Sequence, residues 1–300
     1  MTGKKMQRPK GVSNERETHR KYRLPDDRRW GIGPTAGISP LMDVRYHGTG
    51  GQCMKVTFLR TNGWFDSKTG NTVSTLVQTE NYDIIFDAGY GIHKLDRYVD
   101  WSKPAFLFLG HLHIDHVAGL HTLAKFRFAK GLAICGPAGC REALGILLND
   151  PFTIPLSWLS YPTRILEMPA ESASLPFSAE ALPLRHSSLT MGYRIELDGR
   201  TIAYCSDTGY CENAVTLGRS ADLLITECAY KEGQSLKEWP HLNPETAARI
   251  ACEAGAKRLA LTHFDAEKYK SLPERKVSER IAAGIFAATT AGFDGLEIEL

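Results

Sequence analysis

The sequence contains no apolar run that approaches the roughly 18–20 residues needed to cross a bilayer, and it does not open with the regions of a secretory signal peptide. We therefore expect a cytoplasmic protein. The seven cysteines are scattered and include no C-x-x-C pair, which argues against a disulfide framework or a cysteine-based structural zinc site. The rest of the composition is that of an ordinary globular chain, with 43% hydrophobic and 23% charged residues.

The formal net charge of +2 hides an asymmetry between the first 52 residues and the rest. Residues 1–52 carry eleven Lys and Arg and five Asp and Glu, a net charge of +6, which leaves −4 for the remainder. They show neither a 3.6-residue nor a 2-residue apolar period. We therefore predict a mobile basic extension over 1–52 that precedes one domain over 53–300, with an RNA-binding or targeting arm as the alternative.

Short strands separated by turn residues fill the chain from Lys55 onward, and helices join them later. Runs rich in Val, Ile, Phe and Thr predict strands over 55–60, 73–79, 83–87, 105–109, 132–135, 179–184, 192–197, 201–205, 222–226, 258–262 and 296–299. Apolar periods and capping residues predict helices over 140–148, from Asn243 to before Gly255, and over about 273–289. This alternation is typical of the α/β class.

Four side chains that can bind a metal lie within six residues, directly after the apolar strand 105–109. They are His111, His113, Asp115 and His116. Extended backbone places residues i and i+2 on one side, so the first two can share a site, and a following turn would direct the other two towards a second metal. Imidazole and carboxylate suit Zn²⁺, with Mn²⁺ and Fe²⁺ as alternatives.

Three further candidates each follow a predicted strand. His186 comes after 179–184, Asp207 after 201–205 and His263 after 258–262. The region beyond the carboxyl ends of strands is where open α/β sheets place ligands and catalytic groups. A carboxylate such as Asp207 can bridge two cations, because each of its oxygens can bind one of them.

These segments resemble the metallo-β-lactamase-fold hydrolases, from Lys55 to the C-terminus. Within that superfamily the chain is similar to the phosphodiesterase branch that contains ribonuclease Z and the cyclic-phosphate phosphodiesterase of phosphonate breakdown. The segments that carry the resemblance are 110–120 (GHLHIDHVAGL), 184–193 (LRHSSLTMGY), 206–209 (SDTG), 221–227 (ADLLITE), 241–243 (HLN) and 261–264 (LTHF). One departure is Arg60, which stands where the family has a glycine in a Phe-Leu-Gly-Thr-type loop.

The resemblance implies a four-layer αβ/βα sandwich with a dinuclear metal site at the sheet edge. It assigns His111, His113 and His186 to the first metal, Asp115, His116 and His263 to the second, and Asp207 to both. It also implies that His241 donates a proton to the leaving oxygen and that Glu227 orients its ring. The predicted catalytic residues are thus His241, Glu227 and Asp115, and the predicted cofactors are two divalent ions, most consistent with zinc.

A phosphodiester hydrolase is the function that these features favour. Two divalent cations about 3.5–4 Å apart can hold a bridging hydroxide and stabilise both the attacking and the leaving oxygen of an in-line displacement. We expect this hydroxide to attack phosphorus while His241 protonates the departing oxygen.

The length of one connection bears on the substrate. Ribonuclease Z proteins commonly carry a tRNA-gripping arm between segments that correspond to Tyr193 and Asp207, but here only thirteen residues separate the two, which is room for a hairpin. The acidic balance outside 1–52 also offers little attraction for a polyanion. The ending 292–298 (GFDGLEI) is close to that of the phosphonate-pathway enzyme. We therefore favour a small or cyclic phosphodiester over RNA.

Three alternatives stay open at this point. One is a ribonuclease Z-type tRNA 3′-processing endonuclease that uses 1–52 as a substitute arm. Another is a hydrolase of the same fold that acts on a lactone, a thioester or a β-lactam. The third is a metal-binding scaffold without catalysis. A homodimer is common in this branch, and no membrane partner is expected.

Overall fold

The computed structural model of the chain describes residues 54–300, so the predicted basic extension over 1–52 lies outside the described residues. The strands are β1 (Lys55–Arg60), β2 (Asn62–Gly63), β3 (Ser74–Gln78), β4 (Asp83–Phe86), β5 (Ala105–Phe108), β6 (Leu132–Pro137), β7 (Thr163–Met168), β8 (Ser178–Pro183), β9 (Met191–Leu197), β10 (Arg200–Cys205), β11 (Leu223–Glu227), β12 (Leu259–Thr262), β13 (Phe264–Asp265), β14 (Thr289–Ala291) and β15 (Glu297–Glu299). The α-helices are α1 (Ile114–Val117), α2 (Cys140–Leu147), α3 (Glu212–Gly218), α4 (Pro244–Ala254) and α5 (Leu272–Ala283). Short 3-10 helices cover Tyr90–Arg97, Ala118–Lys125, Leu156–Trp158 and Ser172–Ser174.

Two mixed sheets form the centre of the domain. The seven-stranded sheet has the order β15-β1-β3-β4-β5-β6-β7, and the six-stranded sheet has the order β14-β12-β11-β10-β9-β8. A small third sheet pairs β13 with β2. Strands β4 to β7 run parallel to one another, as do β10, β11, β12 and β14.

The central strands are apolar on both faces because each sheet is covered on both sides. In β5, Phe106 and Phe108 face the core between the two sheets, whereas Leu107 faces the outer helical layer. In β11, Ile225 faces the inner core and Leu224 faces the opposite helical layer. Burial of each such side chain stabilises the fold by about 1.5–3 kcal/mol. The result is the predicted αβ/βα sandwich.

The predicted elements agree with the structure over most of the domain, but they differ at its C-terminal end and omit β7 and α3 in the middle of the chain. The helix predicted over 273–289 ends at Ala283 instead, and Thr289 begins β14. Because Thr is β-branched, Thr289 and Thr290 fit a strand better than a helix. Strand β7 was not predicted, since Arg164 and Glu167 interrupt its apolar pattern.

The connection between Tyr193 and Asp207 is a hairpin, as predicted. Strands β9 and β10 pair in antiparallel register, with Leu197 opposite Arg200. Only Asp198 and Gly199 lie between them, both with left-handed φ, of 53° and 71°. Such a pair suits a two-residue turn that matches the twist of the strands. No arm is inserted at this position.

The parallel strands bring the predicted site residues to one edge. The carboxyl ends of β4 and β5 adjoin in one sheet, and those of β10, β11 and β12 adjoin in the other. Contacts between His116 and His263 join the two edges. Among the helices of the described residues, none is long and apolar enough to cross a membrane.

Candidate metal centre

The chain turns at the end of β5, and the turn determines how the first four candidates are arranged. His111 is fully buried, and His113 has extended backbone and precedes the first turn of α1. Asp115 and His116 lie in that turn. The ring centroids of His111 and His116 are 4.1 Å apart, and those of His111 and His113 are 4.4 Å apart.

One group of candidate ligands is formed by His111, His113, His186 and Asp207, whose ligand atoms all lie within 4.8 Å of one another. Nε2 of His186 lies 3.4 Å from Nδ1 of His113. Oδ2 of Asp207 lies 3.9 Å from Nε2 of His111 and 3.9 Å from Nε2 of His186. We call these residues the first half-site.

A second group, with the same spacing, contains Asp115, His116 and His263. Nε2 of His263 lies 3.2 Å from Oδ2 of Asp115 and 3.1 Å from Nε2 of His116. Oδ1 of Asp207 lies 3.3 Å from His116 and 3.2 Å from His263. The two oxygens of Asp207 therefore face different groups, as a bridging ligand requires. We call Asp115, His116 and His263 the second half-site.

The donor atoms fit a bound cation. Both ring nitrogens of buried His111 lack a hydrogen-bond partner within residues 54–300, which is costly for polar atoms without another ligand. In the second half-site, two imidazole nitrogens and a carboxylate oxygen converge, although two nitrogen lone pairs cannot bond to each other. A divalent cation in each half-site would bind one ring nitrogen of His111 and the converging atoms of the second half-site.

The electrostatics of the two half-sites differ. Burial lowers the pKa of His111 to about 2 and that of His186 to about 4, so both rings are neutral at pH 7 and offer a lone pair. Burial also opposes protonation of His116, but Asp115 and Asp87 outweigh it and raise the pKa of His116 well above its usual value. The second half-site thus favours positive charge, which a cation would supply.

Asp87 is a supporting residue that sequence reasoning missed. It follows β4 with a left-handed φ of 56° and is fully buried. Its Oδ2 accepts hydrogen bonds from Nδ1 of His116 at 2.9 Å and from the Tyr204 hydroxyl at 2.6 Å, and Oδ1 accepts from the Gly110 amide at 2.7 Å. A carboxylate behind a ligating imidazole fixes its tautomer. The available signal was an aspartate directly after an apolar strand, followed by Ala and Gly.

A loop after β1 closes the second half-site. Gly63 lies so close to the His263 ring that any Cβ there would overlap it. The Trp64 amide donates a hydrogen bond to Oδ2 of Asp115 at 2.8 Å. Buried Arg275 of α5 supports this loop from behind, because its guanidinium donates hydrogen bonds to the side chains of Thr61 and Asn62.

The loop accommodates Arg60 in place of the family glycine because the side chain has polar partners that belong to neither half-site. Its guanidinium donates a hydrogen bond to Asn71 at 2.9 Å and forms an ion pair with Asp294 at 3.2 Å. A break in the register of β1 and β3 between Phe58 and Arg60 accommodates the bend.

His241 and Glu227 lie together beside the half-sites. Nδ1 of His241 lies 2.7 Å from Oε1 of Glu227, which is fully buried and also accepts hydrogen bonds from the Thr208 and Ala229 amides. Burial opposes protonation of His241, but Glu227 outweighs it and raises the pKa of His241 to about 9. His241 could also join Asp207 and His263 as a ligand, yet the Glu227 bond already occupies Nδ1.

Comparisons with known proteins agree with this architecture. A family model described as a β-lactamase superfamily domain matches residues 82–264. YhfI of Bacillus subtilis strain 168, described as a "probable metallo-hydrolase", is 32% identical over 216 residues, which cover 70% of this chain and 87% of that protein. The crystal structure of YhfI superposes with a TM-score of 0.69 at 26% identity, over 83% of this chain and 100% of that one.

Ribonucleases are also among the relatives. Ribonuclease BN of Cronobacter sakazakii is 29% identical, over 82% of this chain and 99% of that protein. The family model covers more than half of the chain, and YhfI exceeds 30% identity over most of it. The chain therefore belongs to the β-lactamase superfamily and is a hydrolase of the metallo-β-lactamase fold.

Proposed function

We propose that the protein is a phosphodiester hydrolase that uses two divalent cations, preferably zinc, and acts on a small or cyclic phosphodiester. The observation that carries the proposal is the pairing of His241 with buried Glu227 beside two groups of converging ligands. Hydrolysis of a diester with a poor leaving group needs both charge stabilisation at phosphorus and a proton for the departing oxygen.

The ligands divide as the two half-sites suggest. His111, His113 and His186 would hold one cation, Asp115, His116 and His263 the other, and Asp207 would contact both. Such a pair of cations supplies Lewis-acid stabilisation of the charge on the phosphoryl oxygens and activates water. The remaining roles in the reaction belong to side chains of the protein.

His241 is the proposed proton donor. Its Nδ1 is held by Glu227, and no hydrogen-bond partner of Nε2 occurs within residues 54–300, so Nε2 is the nitrogen available to a substrate. The raised pKa keeps the ring protonated at neutral pH. Nε2 would donate its proton to the leaving oxygen, and the Glu227 carboxylate would stabilise the imidazolium before transfer and keep its orientation.

Asp115 has a proposed role in both binding and catalysis. Its Oδ2 lies 3.2 Å from Nε2 of His263 and is fixed by the Trp64 amide. A carboxylate held in this way cannot rotate away when the substrate enters, so the second half-site keeps its geometry during the reaction.

The two-residue turn between β9 and β10 supports a small substrate, since this connection offers no arm for gripping a tRNA. A tRNA 3′-processing endonuclease is the second candidate, and the similarity to ribonucleases over 82% of the chain favours it. In that case residues 1–52, whose basic charge could contact RNA, would serve as the arm.

The deciding experiment combines metal analysis with three substrates. Zinc-loaded protein is assayed on bis-p-nitrophenyl phosphate, a 2′,3′-cyclic nucleotide and a precursor tRNA, with and without residues 1–52. Turnover of the two small diesters by both forms supports the proposal. Cleavage of the tRNA alone, lost on removal of 1–52, would establish the endonuclease instead.

Hydrolysis of a lactone, a thioester or a β-lactam makes less use of this site. Those reactions do not demand a leaving-group acid such as His241. The pairing of buried Glu227 with His241 would then have no role in catalysis. Absence of turnover of any diester by metal-loaded protein would return these classes to consideration. A cytoplasmic location and a homodimer remain part of the proposal and can be tested by fractionation and by light scattering.

A further inference from the structure

An aromatic side chain outside the predicted site residues contacts the first half-site. The Trp239 ring lies parallel to the His113 ring, with centroids 5.7 Å apart and an interplanar angle of 6°. It meets the His186 ring edge-on at 5.6 Å and lies 6.2 Å from the His241 ring. Trp239 thus touches two candidate ligands and the proposed proton donor at once.

Trp239 is held in place but is not covered. The Tyr230 hydroxyl donates a hydrogen bond to its carbonyl at 2.6 Å, and Pro240 follows it directly, so the backbone is constrained. Nevertheless 48% of the residue is exposed to solvent. A lone exposed aromatic residue needs no explanation, but one that is fixed against the polar groups of a site forms part of its wall.

The second half-site has an exposed aromatic residue as well. Trp64, whose amide binds Asp115, is 63% exposed and has a left-handed φ of 72°. A bulky residue rarely adopts this conformation, and such strain concentrates at ligand sites. Ile114, between His113 and Asp115, is 69% exposed. Exposed apolar side chains therefore border both half-sites.

We infer that Trp239 is a stacking platform that binds a planar aromatic group on one arm of the phosphodiester, so that it determines substrate specificity beside the first half-site. This inference rests on the proposed function. Flat rings stack on tryptophan more favourably than puckered aliphatic rings of the same size. The substrate class is consequently a phosphodiester with an aromatic or heteroaromatic arm, as opposed to a diester of aliphatic alcohols.

The test compares two phosphonates that differ in one ring, which is flat and aromatic in the first and puckered and saturated in the second. Calorimetry measures the Kd of benzylphosphonate and of cyclohexylmethylphosphonate for the zinc-loaded full-length protein. We expect the benzyl compound to bind about 3- to 10-fold more tightly to the unmodified protein. Trp239→Leu, which keeps apolar bulk, should bring this ratio close to one. Trp158→Leu is the matched control, because Trp158 is 73% exposed in the connection before β7, and it should retain the ratio.

A ratio near one in the unmodified protein, no binding of either compound, or a ratio that survives in Trp239→Leu would overturn the inference. Turnover is measured separately with benzyl p-nitrophenyl phosphate. Failure of the zinc-loaded protein to hydrolyse this diester would defeat the proposed function, whereas the binding ratio still decides whether Trp239 is a platform. The two failures are thus distinguishable.

Discussion

The carboxylate of Glu227 lies 2.7 Å from Nδ1 of His241, and the same carboxylate accepts hydrogen bonds from two backbone amides. These amides fix Glu227, and Glu227 in turn fixes the imidazole. The strand β11 ends at Glu227, whereas His241 precedes the capping box of α4, in which Asn243 and Thr246 bond to each other's backbone. Strand β11 and the segment before α4 therefore fix the contact between Glu227 and His241 from two sides. The chemistry of this contact can be tested by substitution.

His241→Ala should lower kcat by about 10²–10⁴ on a diester with a poor leaving group, because a general acid contributes that much. The loss should shrink for p-nitrophenolate, which departs without a proton. Glu227→Gln should show a weaker form of the same pattern, since it orients the ring and transfers no proton itself. Zinc content and circular dichroism serve as controls, because His241 is not among the seven proposed ligands. An equal loss on good and poor leaving groups would make His241 a substrate-positioning residue.

The pH profile tests the same pair by a different measurement. Glu227 raises the pKa of His241 to about 9, whereas an unperturbed histidine has a pKa of about 6.5. The contact between the protonated ring and Glu227 therefore stabilises the fold fully below about pH 6.5. This stabilisation is lost as the pH rises through about 9. The rate on a poor leaving group should fall in the same range. In Glu227→Gln the basic limb should move to lower pH, because the carboxylate charge that raises the pKa of His241 is gone. An unmoved limb in kcat/KM between pH 6 and 10 would assign it to another group.

Asp207→Ala should lose at least one metal ion and nearly all activity, because the two oxygens of Asp207 face different half-sites. Elemental analysis of the purified variant measures the loss directly. Asp222→Asn is the matched control: Asp222 is also buried, but it binds Lys257 and the Thr201 amide. The control should keep its metal. Full occupancy in Asp207→Ala would show that Asp207 is only a turn residue.

How much the sequence alone predicts depends on how local the signal is. The strand bounds of β1 and the start of α4 follow from short patterns, and the cluster His111 to His116 is recognisable because it lies within six residues. Asp87 and Arg275 were not foreseen, because their partners lie far away in the chain. Asp87 acts on His116 across 29 positions and Arg275 on Thr61 across 214. Only the folded arrangement of sheet edges reveals such pairs.

Asp87→Asn should weaken metal binding at the second half-site by about 10- to 100-fold, as is typical when the group behind a ligating histidine is changed. Asparagine tolerates the left-handed backbone of Asp87, so the substitution tests the carboxylate and not the turn. Competition with a chromogenic chelator measures the two zinc affinities. Tyr204→Phe, which removes one other donor to Asp87 at 2.6 Å, should have a smaller effect. Unchanged affinities in Asp87→Asn would mean that His116 does not depend on its charge.

Gly63→Ala should displace the His263 ring, since a Cβ at position 63 would overlap it. The backbone of Gly63 is not left-handed, so alanine adds the steric contact without added strain there. We expect the second metal to bind about 10-fold or more weakly, with activity lost in parallel. Gly145→Ala is the matched control, because Gly145 lies in α2 and the new Cβ would meet no atom of residues 54–300 within 4 Å, apart from its own helix backbone and chain neighbours. There the substitution should raise the free energy of unfolding, by up to about 1 kcal/mol, and leave the metals in place. Denaturant unfolding and zinc titration measure both effects. If both variants bind two metals equally well, His263 can move aside without cost, and the close approach of the loop after β1 is not what positions the second half-site.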